Sequence, residues 1–242
     1  MNTAPQRPPG LVWLDLARAG NFPSVASNVL AAFALSAAGS FDAGRLAGAL
    51  LAGVLAYAGG ATLNDVADIG FDAQHRPERS LPRGVVSRRT AAIVGAGELL
   101  VGAALLLVLG AHWASATTLV ALVALYNWSH KRWPGAVALI AGCRAALALT
   151  VATLPGHAPT PALLCWIAAL WIYIVALSVL ARREYTSGAA AARLAGIVRW
   201  LLAGIPLVDA TALLALGAWP WALACAAMIP LGRGAQRLLA AD

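Results

Sequence analysis

Apolar runs of nearly bilayer length follow one another along the whole chain of 242 residues, and this repetition is what most restricts its fold. A membrane-spanning helix needs roughly 20 consecutive apolar residues. Eight runs approach that length, at residues 22–40, 44–63, 91–110, 114–129, 135–154, 161–181, 195–217 and 219–235. Charged residues make up only 11% of the chain, against roughly 25% in soluble domains. The sequence therefore predicts an all-α integral membrane protein.

The segments between these runs are too short to form a separate soluble domain, so we expect one membrane domain over residues 1–242. Proline and glycine residues separate most of the runs. Pro206 differs because it falls inside the run at 195–217. A proline there removes a backbone hydrogen bond, which predicts a kinked helix.

The basic residues are distributed unequally between the two sides of the membrane. If the chain starts in the cytoplasm, the opposite side holds only Arg45, and nearly all other basic residues fall in cytoplasmic loops. The positive-inside rule then places both termini, the tail at 1–20 and the loops at 64–90 and 182–194 in the cytoplasm. The formal charge of +7 follows from this topology and favours contact with membrane lipid. Aromatic residues interleaved with lysines are missing, so no nucleic-acid partner is expected.

Three acidic residues are regularly spaced in the stretch TLNDVADIGFDAQHRPERSLPRG, at residues 62–84. Asp65, Asp68 and Asp72 are separated by three and four residues, which places them on one helix face if the second apolar helix continues, with Asn64 beside them. Three like charges on adjacent turns repel, and a divalent cation with oxygen ligands removes this cost. Mg²⁺ fits because it accepts a few carboxylates together with phosphate oxygens. The spacing therefore indicates a phosphate ester as ligand.

Arginine residues follow the acids directly. The forked donors of Arg76, Arg79 and Arg83 match phosphate oxygens, and their charge suits a leaving diphosphate. The alternative is a solvated loop in which acids and bases pair with one another. The position beside a spanning helix favours a functional role, because a charged residue at the centre of such a helix costs about 2.5–3.5 kcal/mol.

Two motifs resemble a known family. The run Asn64-Asp65-x-x-Asp68-x-x-x-Asp72, followed by RPERSLPRG, resembles the first aspartate-rich motif and loop of the UbiA superfamily of membrane prenyltransferases. The segment YNWSHKRWPGAVALIAG resembles the family's segment between its fourth and fifth helices, through Tyr126, Lys131, Arg132, Pro134 and Gly142. Arg18, just before the first helix, also fits. Details such as YAGGATLNDV and GCRAAL are similar to the EboC-like branch.

The resemblance implies a bundle of eight or nine transmembrane helices around a central cavity that receives the tail of an isoprenyl diphosphate. Ionisation of the allylic carbon–oxygen bond would give a carbocation that an unknown prenyl acceptor captures. The catalytic residues implied are Asp65, Asp68 and Asp72 as ligands of Mg²⁺, with Arg76 and Lys131 on the diphosphate. The substrate is expected to contact Asn28, Asn64, Arg79, Arg83, Tyr126, Arg182, Arg183 and Glu184.

The chain departs from the family pattern at the second aspartate-rich motif, where it has ARREYTSG. Glu184 is the only carboxylate there. Arg182 and Arg183 can replace a second metal ion as fixed positive charges, with Glu184 orienting one of them. Alternatively the chain has lost transfer chemistry and only binds lipid phosphate, and the arginine pair is a topology signal.

Three functions therefore stay open from the sequence: a prenyltransferase, a terpene cyclase that closes the carbocation on itself, and a non-catalytic prenyl-diphosphate binder. Two polar residues inside apolar runs also have two interpretations. Asn28 either faces the cavity or forms an interhelical hydrogen bond. Arg144 needs a buried partner, which Glu98 or Asp209 can supply.

Overall fold

The computed structural model describes residues 8–36, 42–156, 158–184 and 191–239, and the regular structure of these residues is entirely helical, which confirms the all-α fold. A 3-10 turn, Ala19–Asn21, follows the first helix. The α-helices are α1 Pro9–Leu16, α2 Phe22–Ser36, α3 Ala43–His75, α4 Arg88–Val108, α5 Trp113–Ser129, α6 Ala136–Ala152, α7 Pro161–Glu184, α8 Ala191–Ala203, α9 Ile205–Ala215 and α10 Trp219–Leu238.

Seven of the eight predicted apolar runs each correspond to one helix, and the run at 195–217 contains two, α8 and α9. The chain breaks between them at Gly204, and Pro206 lies in the first turn of α9, where its missing N–H costs no helical bond. When α8 and α9 are counted together, the described part of the chain holds eight apolar passages and the short α1, in agreement with the predicted number. Helices α3, α4 and α7 and the stretch Ala192–Ala215 are long and apolar enough to cross a membrane.

Helix α3 is longer than the apolar run that predicts it. It continues past residue 63 to His75, so the expected loop at 64–90 is helical at both ends and only residues 76–87 connect α3 to α4. Helix α3 ends before Pro77, because a proline disfavours helical backbone at the residue that precedes it. The Arg76 amide closes the last turn of α3 by donating to the Asp72 carbonyl oxygen at 2.7 Å. One rigid helix therefore carries both the membrane passage and the acids.

Helices α3 and α4 pack closely through small residues. A Cβ atom on Gly102 of α4 would lie 2.7 Å from the Ala52 carbonyl oxygen and 2.7 Å from the Ala56 amide nitrogen of α3. These are backbone atoms, so no side-chain rotation can make room. The crossing therefore requires glycine at this position.

A small hydrophobic cluster fixes the α3–α4 connection against the N-terminal helix. Val12 and Leu16 of α1 pack with Leu81 of the connection and Ala91 of α4, all of them buried. Because Arg79 lies two residues before Leu81, this contact holds Arg79 against the end of α3. Burial of apolar side chains thus positions a charged residue of the site.

Candidate active site

The three acids share one face at the cytoplasm-directed end predicted for α3, and all are buried. Asp65, Asp68 and Asp72 are 8%, 7% and 3% exposed, and Asn64 lies beside them at 8%. Buried carboxylates need opposite charges or hydrogen-bond donors, so their partners define the site.

Arginines from two directions neutralise the outer acids. Arg18 Nη2 lies 3.0 Å from Asp65 Oδ1 and 3.2 Å from Asn64 Oδ1. Arg79 Nη1 bridges two carboxylates, at 3.3 Å from Asp65 Oδ1 and 3.0 Å from Asp72 Oδ2. Arg79, which the sequence predicts to contact diphosphate, is bound here to carboxylates, as in the alternative in which the acids and bases of this segment pair with one another.

Arg18 has an unusual backbone for a residue with a side chain. It lies in the left-handed region, at φ 50° and ψ 48°, between α1 and the 3-10 turn. This conformation costs roughly 1–2 kcal/mol for an L-residue. Burial lowers the pKa of Arg18, but the Asp65 carboxylate and the nearby Tyr57 and Tyr126 side chains together raise that pKa above its ordinary value, so the guanidinium stays charged. The ion pair with Asp65 helps to hold the strained turn.

The end of α5 supplies the partners of the middle acid. His130 Nε2 donates to Asp68 Oδ1 at 2.7 Å, while its Nδ1 faces the Tyr126 carbonyl oxygen at 3.1 Å. Lys131 Nζ lies 3.4 Å from Asp68 Oδ2 and 3.8 Å from the centroid of the Phe71 ring. Sequence reasoning missed His130, although it directly precedes Lys131 in a segment that already carried the family resemblance.

A cavity of about 120 Å³ opens below Asn64, between α3, α5 and α6. Its walls are mainly apolar. Arg18, Asn64 and Tyr126 line it at the acid end, whereas Tyr57 and the adjacent Arg144 line it about two turns farther along α3. Tyr126 lines this cavity, and its predicted contact with substrate stays a prediction.

Asn28 belongs to a buried polar network beside the cavity. Arg144 Nη1 donates to Asn28 Oδ1 at 2.7 Å, and Asn28 Nδ2 donates to Asp209 Oδ2 at 2.8 Å. Asp209 also accepts hydrogen bonds from Ser27 and Trp166. Asn28 thus makes the interhelical hydrogen bonds that were its second interpretation, and the described lining of the cavity does not include it. Of the two acids proposed for Arg144, Asp209 is the one connected to it, through Asn28.

The other predicted substrate residues lie around the rim. Arg76 is half-buried, and Arg83 is exposed in the α3–α4 connection. Arg182 donates through Nη1 to the Pro134 carbonyl oxygen and through Nη2 to the His130 carbonyl oxygen at 3.4 Å. It therefore braces the α5–α6 turn from α7. Arg183 is exposed, and the Glu184 side chain lies outside the described residues.

The acids suit Mg²⁺ by their chemistry, since all the donors on this face are carboxylate or amide oxygens. Within the described residues, no three acidic, histidine or cysteine side chains converge as a metal-ion cluster. The carboxylates instead bind Arg18, Arg79, His130 and Lys131. A cation at Asp65 and Asp68 would take over charge compensation that these side chains now provide.

Comparison with known proteins places the chain in a family. The UbiA prenyltransferase family matches residues 25–241. Proteins named digeranylgeranylglyceryl phosphate synthase are similar: that of Methanopyrus kandleri is 28% identical over 209 residues, which cover 86% of this chain and 68% of that protein. That of Haloquadratum walsbyi is 39% identical over 127 residues, 50% of this chain.

The match to the Haloquadratum walsbyi protein spans 43% of that protein's length. A solved structure described as giving insights into digeranylgeranylglyceryl phosphate synthase in membranes has the same fold, with a TM-score of 0.63 at 15% identity over 94% of both chains. Placement in the EboC-like branch stays a prediction. The family match, which covers nearly the whole described chain, shows that this membrane protein belongs to the UbiA prenyltransferase family.

Proposed function

We propose that the protein is a Mg²⁺-dependent prenyltransferase that moves a prenyl group from an isoprenyl diphosphate to an acceptor. The observation that carries this proposal is the buried face of Asp65, Asp68 and Asp72 next to Asn64, which lines an apolar cavity. Ionisable residues at the end of a membrane-spanning helix are rare and most often mark substrate or ion sites. The relatives' name supports the same reaction class.

In the proposed reaction, the allylic carbon–oxygen bond breaks and its electron pair leaves with the diphosphate. The acceptor's nucleophilic atom then bonds to the carbocation and loses its proton. Mg²⁺ held by Asp65, Asp68 and Asp72 would supply positive charge against the diphosphate. Arg79 and Lys131, which contact these carboxylates, would then donate hydrogen bonds to phosphate oxygens bound beside them.

The cavity below the acids supports the cationic step. Apolar side chains such as Leu119, Val123 and Leu147 exclude water that would quench a carbocation. The Tyr126 ring lines the same space and can face the cation with its π electrons. The acidic and basic side chains that would bind the diphosphate therefore lie next to an apolar space that would hold the carbocation.

A binder without catalysis is the second candidate, and the charge balance of the acids favours it. Every acid of the cluster already has a cationic side chain within 3.4 Å. The second motif of the chain, ARREYTSG, offers one carboxylate in place of several. A protein that only binds a lipid diphosphate through arginines would need no further carboxylates.

The test is diphosphate release by the purified protein in detergent with Mg²⁺ and geranyl, farnesyl or geranylgeranyl diphosphate. Each is assayed alone and with a geranylgeranylglyceryl phosphate acceptor, the acceptor class that the relatives' name suggests. We expect Asp68→Asn to abolish release, and EDTA to stop it until Mg²⁺ is restored. Glu78→Gln is the matched control, because it removes an exposed carboxylate of the same segment.

Each outcome selects one function. Release that depends on acceptor and metal supports the transferase. Hydrocarbon or terpene alcohol formed without acceptor identifies a cyclase. Tight binding of the diphosphate without release supports the binder, and full release by both Asp65→Asn and Asp68→Asn removes the metal role.

We also propose that both termini and the acid cluster face the cytoplasm, on the distribution of basic residues. Fusion of a reporter that is active only in the cytoplasm to the C-terminus tests this orientation. An active reporter is the expected result, and an inactive one with intact expression contradicts it.

A further inference from the structure

The cavity wall beside Tyr57 carries a positive charge that the proposed diphosphate site does not use. Arg144 lines the cavity and is 9% exposed, with its guanidinium 4.9 Å from the centroid of the Tyr57 ring. Its nitrogens donate to Asn28 Oδ1 at 2.7 Å and to Ser24 Oγ at 3.0 Å. Both of these partners are neutral.

The carboxylate that balances this charge does not contact it. Asp209 is fully buried, and the amide of Asn28 lies between it and Arg144. Its oxygens accept hydrogen bonds from Ser27, Asn28 and Trp166. A guanidinium whose direct partners are neutral keeps its positive potential toward the cavity, and among the described residues no carboxylate lies at contact distance from Arg144.

This charge is too far from the acids to share the same phosphate group. Tyr57 beside Arg144 and Asn64 beside Arg18 are seven residues apart on α3, which corresponds to about 10 Å of helix. A diphosphate centred on the acids therefore lies about two turns of α3 away from the level of Tyr57 and Arg144. A hydrocarbon tail gains nothing from a guanidinium either, since it offers no hydrogen-bond acceptor.

The size of the cavity points the same way. Its volume of about 120 Å³ is below the roughly 300–1,000 Å³ of pockets that enclose a whole drug-sized ligand. The cavity is therefore large enough for one small chemical group of a substrate and not for a whole substrate molecule. That group must be compact, with an apolar part against the walls and a negative end at the arginine.

We propose that Arg144 is a specificity-determining residue that binds an oxyanion of the prenyl acceptor, either a carboxylate or a phosphate. The fork of the guanidinium matches two oxygens of such a group. With the anion held at Arg144, the acceptor's nucleophilic atom points back toward the acids, where the allylic carbon is expected. This inference rests on the proposed transferase function and names its acceptor class.

The experiment measures binding to the full-length protein in lipid nanodiscs, with EDTA present so that the acids hold no metal. The probes are sodium benzoate and glycerol 1-phosphate, each paired with a neutral counterpart, benzyl alcohol and glycerol. The variants are Arg144→Gln and Arg144→Lys, with Arg237→Gln as a control that removes an exposed arginine at the end of α10. Binding of geranylgeranyl diphosphate is recorded in the same samples.

We expect at least one anion to bind more tightly than its neutral counterpart. Arg144→Gln should weaken that anion at least tenfold, Arg144→Lys should weaken it less, and Arg237→Gln should not change it. Benzoate alone identifies a carboxylate acceptor and glycerol phosphate alone a phosphate acceptor. Equal binding of anion and neutral probe, no binding of either anion, or unchanged anion binding in Arg144→Gln overturns the inference.

Two further measurements keep the test decisive. If Arg144→Gln does not fold, alkylation of Cys143 by N-ethylmaleimide in the unmodified protein replaces it, because Cys143 lines the cavity beside Arg144. Saturating anion should slow labelling of Cys143 but not of the exposed Cys165, and equal rates would refute the site. If anion binding depends on Arg144 but the unmodified protein releases no diphosphate once Mg²⁺ replaces EDTA, the result would instead count against the proposed transferase.

Discussion

The α3–α4 crossing gives the sharpest test of the packing, through the substitution Gly102→Ala. The new methyl carbon would lie 2.7 Å from two backbone atoms of α3, the Ala52 carbonyl oxygen and the Ala56 amide nitrogen. Non-bonded heavy atoms prefer about 3.5–4.0 Å, so the helices must separate by nearly 1 Å. Overpacking of this kind costs about 1–3 kcal/mol.

The matched control is Gly97→Ala on the same helix, because a Cβ atom there meets nothing within 4 Å. Alanine at an open helical position is favoured over glycine by about 0.5–1 kcal/mol. The two variants should therefore differ by about 2 kcal/mol. For a chain of this length that difference corresponds to at least about 4 °C in melting temperature.

Thermal unfolding of both variants in one detergent, followed by loss of the monodisperse peak, measures the difference. Gly102→Ala is expected to melt below the unmodified protein, and Gly97→Ala at or above it. Equal melting temperatures for the two variants would refute the close backbone contact between α3 and α4.

Three other predictions concern the site and its supports. Lys131→Gln should raise the KM for the isoprenyl diphosphate several-fold, because it removes a cation beside Asp68. Arg132→Gln is the control and should leave this KM unchanged, because the Arg132 guanidinium lies over the Trp128 ring. Steady-state kinetics of both variants measure the difference. Asp209→Ala leaves the buried Arg144 without its counter-charge and should lower stability by about 3–5 kcal/mol, seen as a lower melting temperature than that of the exposed Glu78→Ala. Gly84→Ala should cost about 1–2 kcal/mol through its φ of +70° alone, since its Cβ position is open, and an unchanged melting temperature contradicts this.

The helical framework could be predicted from sequence because each passage has its own local signal. Apolar runs fixed the passages from α2 to α10, and the proline at 206 marked the break between α8 and α9. The spacing of Asp65, Asp68 and Asp72 predicted a shared face, and the continuation of α3 to His75 provides it. These features depend on residues close together in the chain.

What the sequence could not show depends on contacts between distant segments. The Asn28 side chain joins Arg144 and Asp209, which are 116 and 181 residues away, and no local pattern specifies that meeting. The same is true of His130, which reaches Asp68 across 62 residues. The left-handed turn at Arg18 was also unforeseen, because the residue type does not favour it.

The length of α3 has a consequence for how a substrate arrives. Its 33 residues rise about 50 Å, whereas the hydrocarbon layer is about 30 Å thick. A helix that enters this layer near Ala43 leaves it close to residue 63, so Asp65, Asp68 and Asp72 lie at the depth of lipid headgroups. A diphosphate anchored by its tail in the same leaflet already travels at that level and reaches the acids by lateral diffusion. The turnover rate should then follow the mole fraction of the lipid substrate in the bilayer, and not its concentration in the surrounding water.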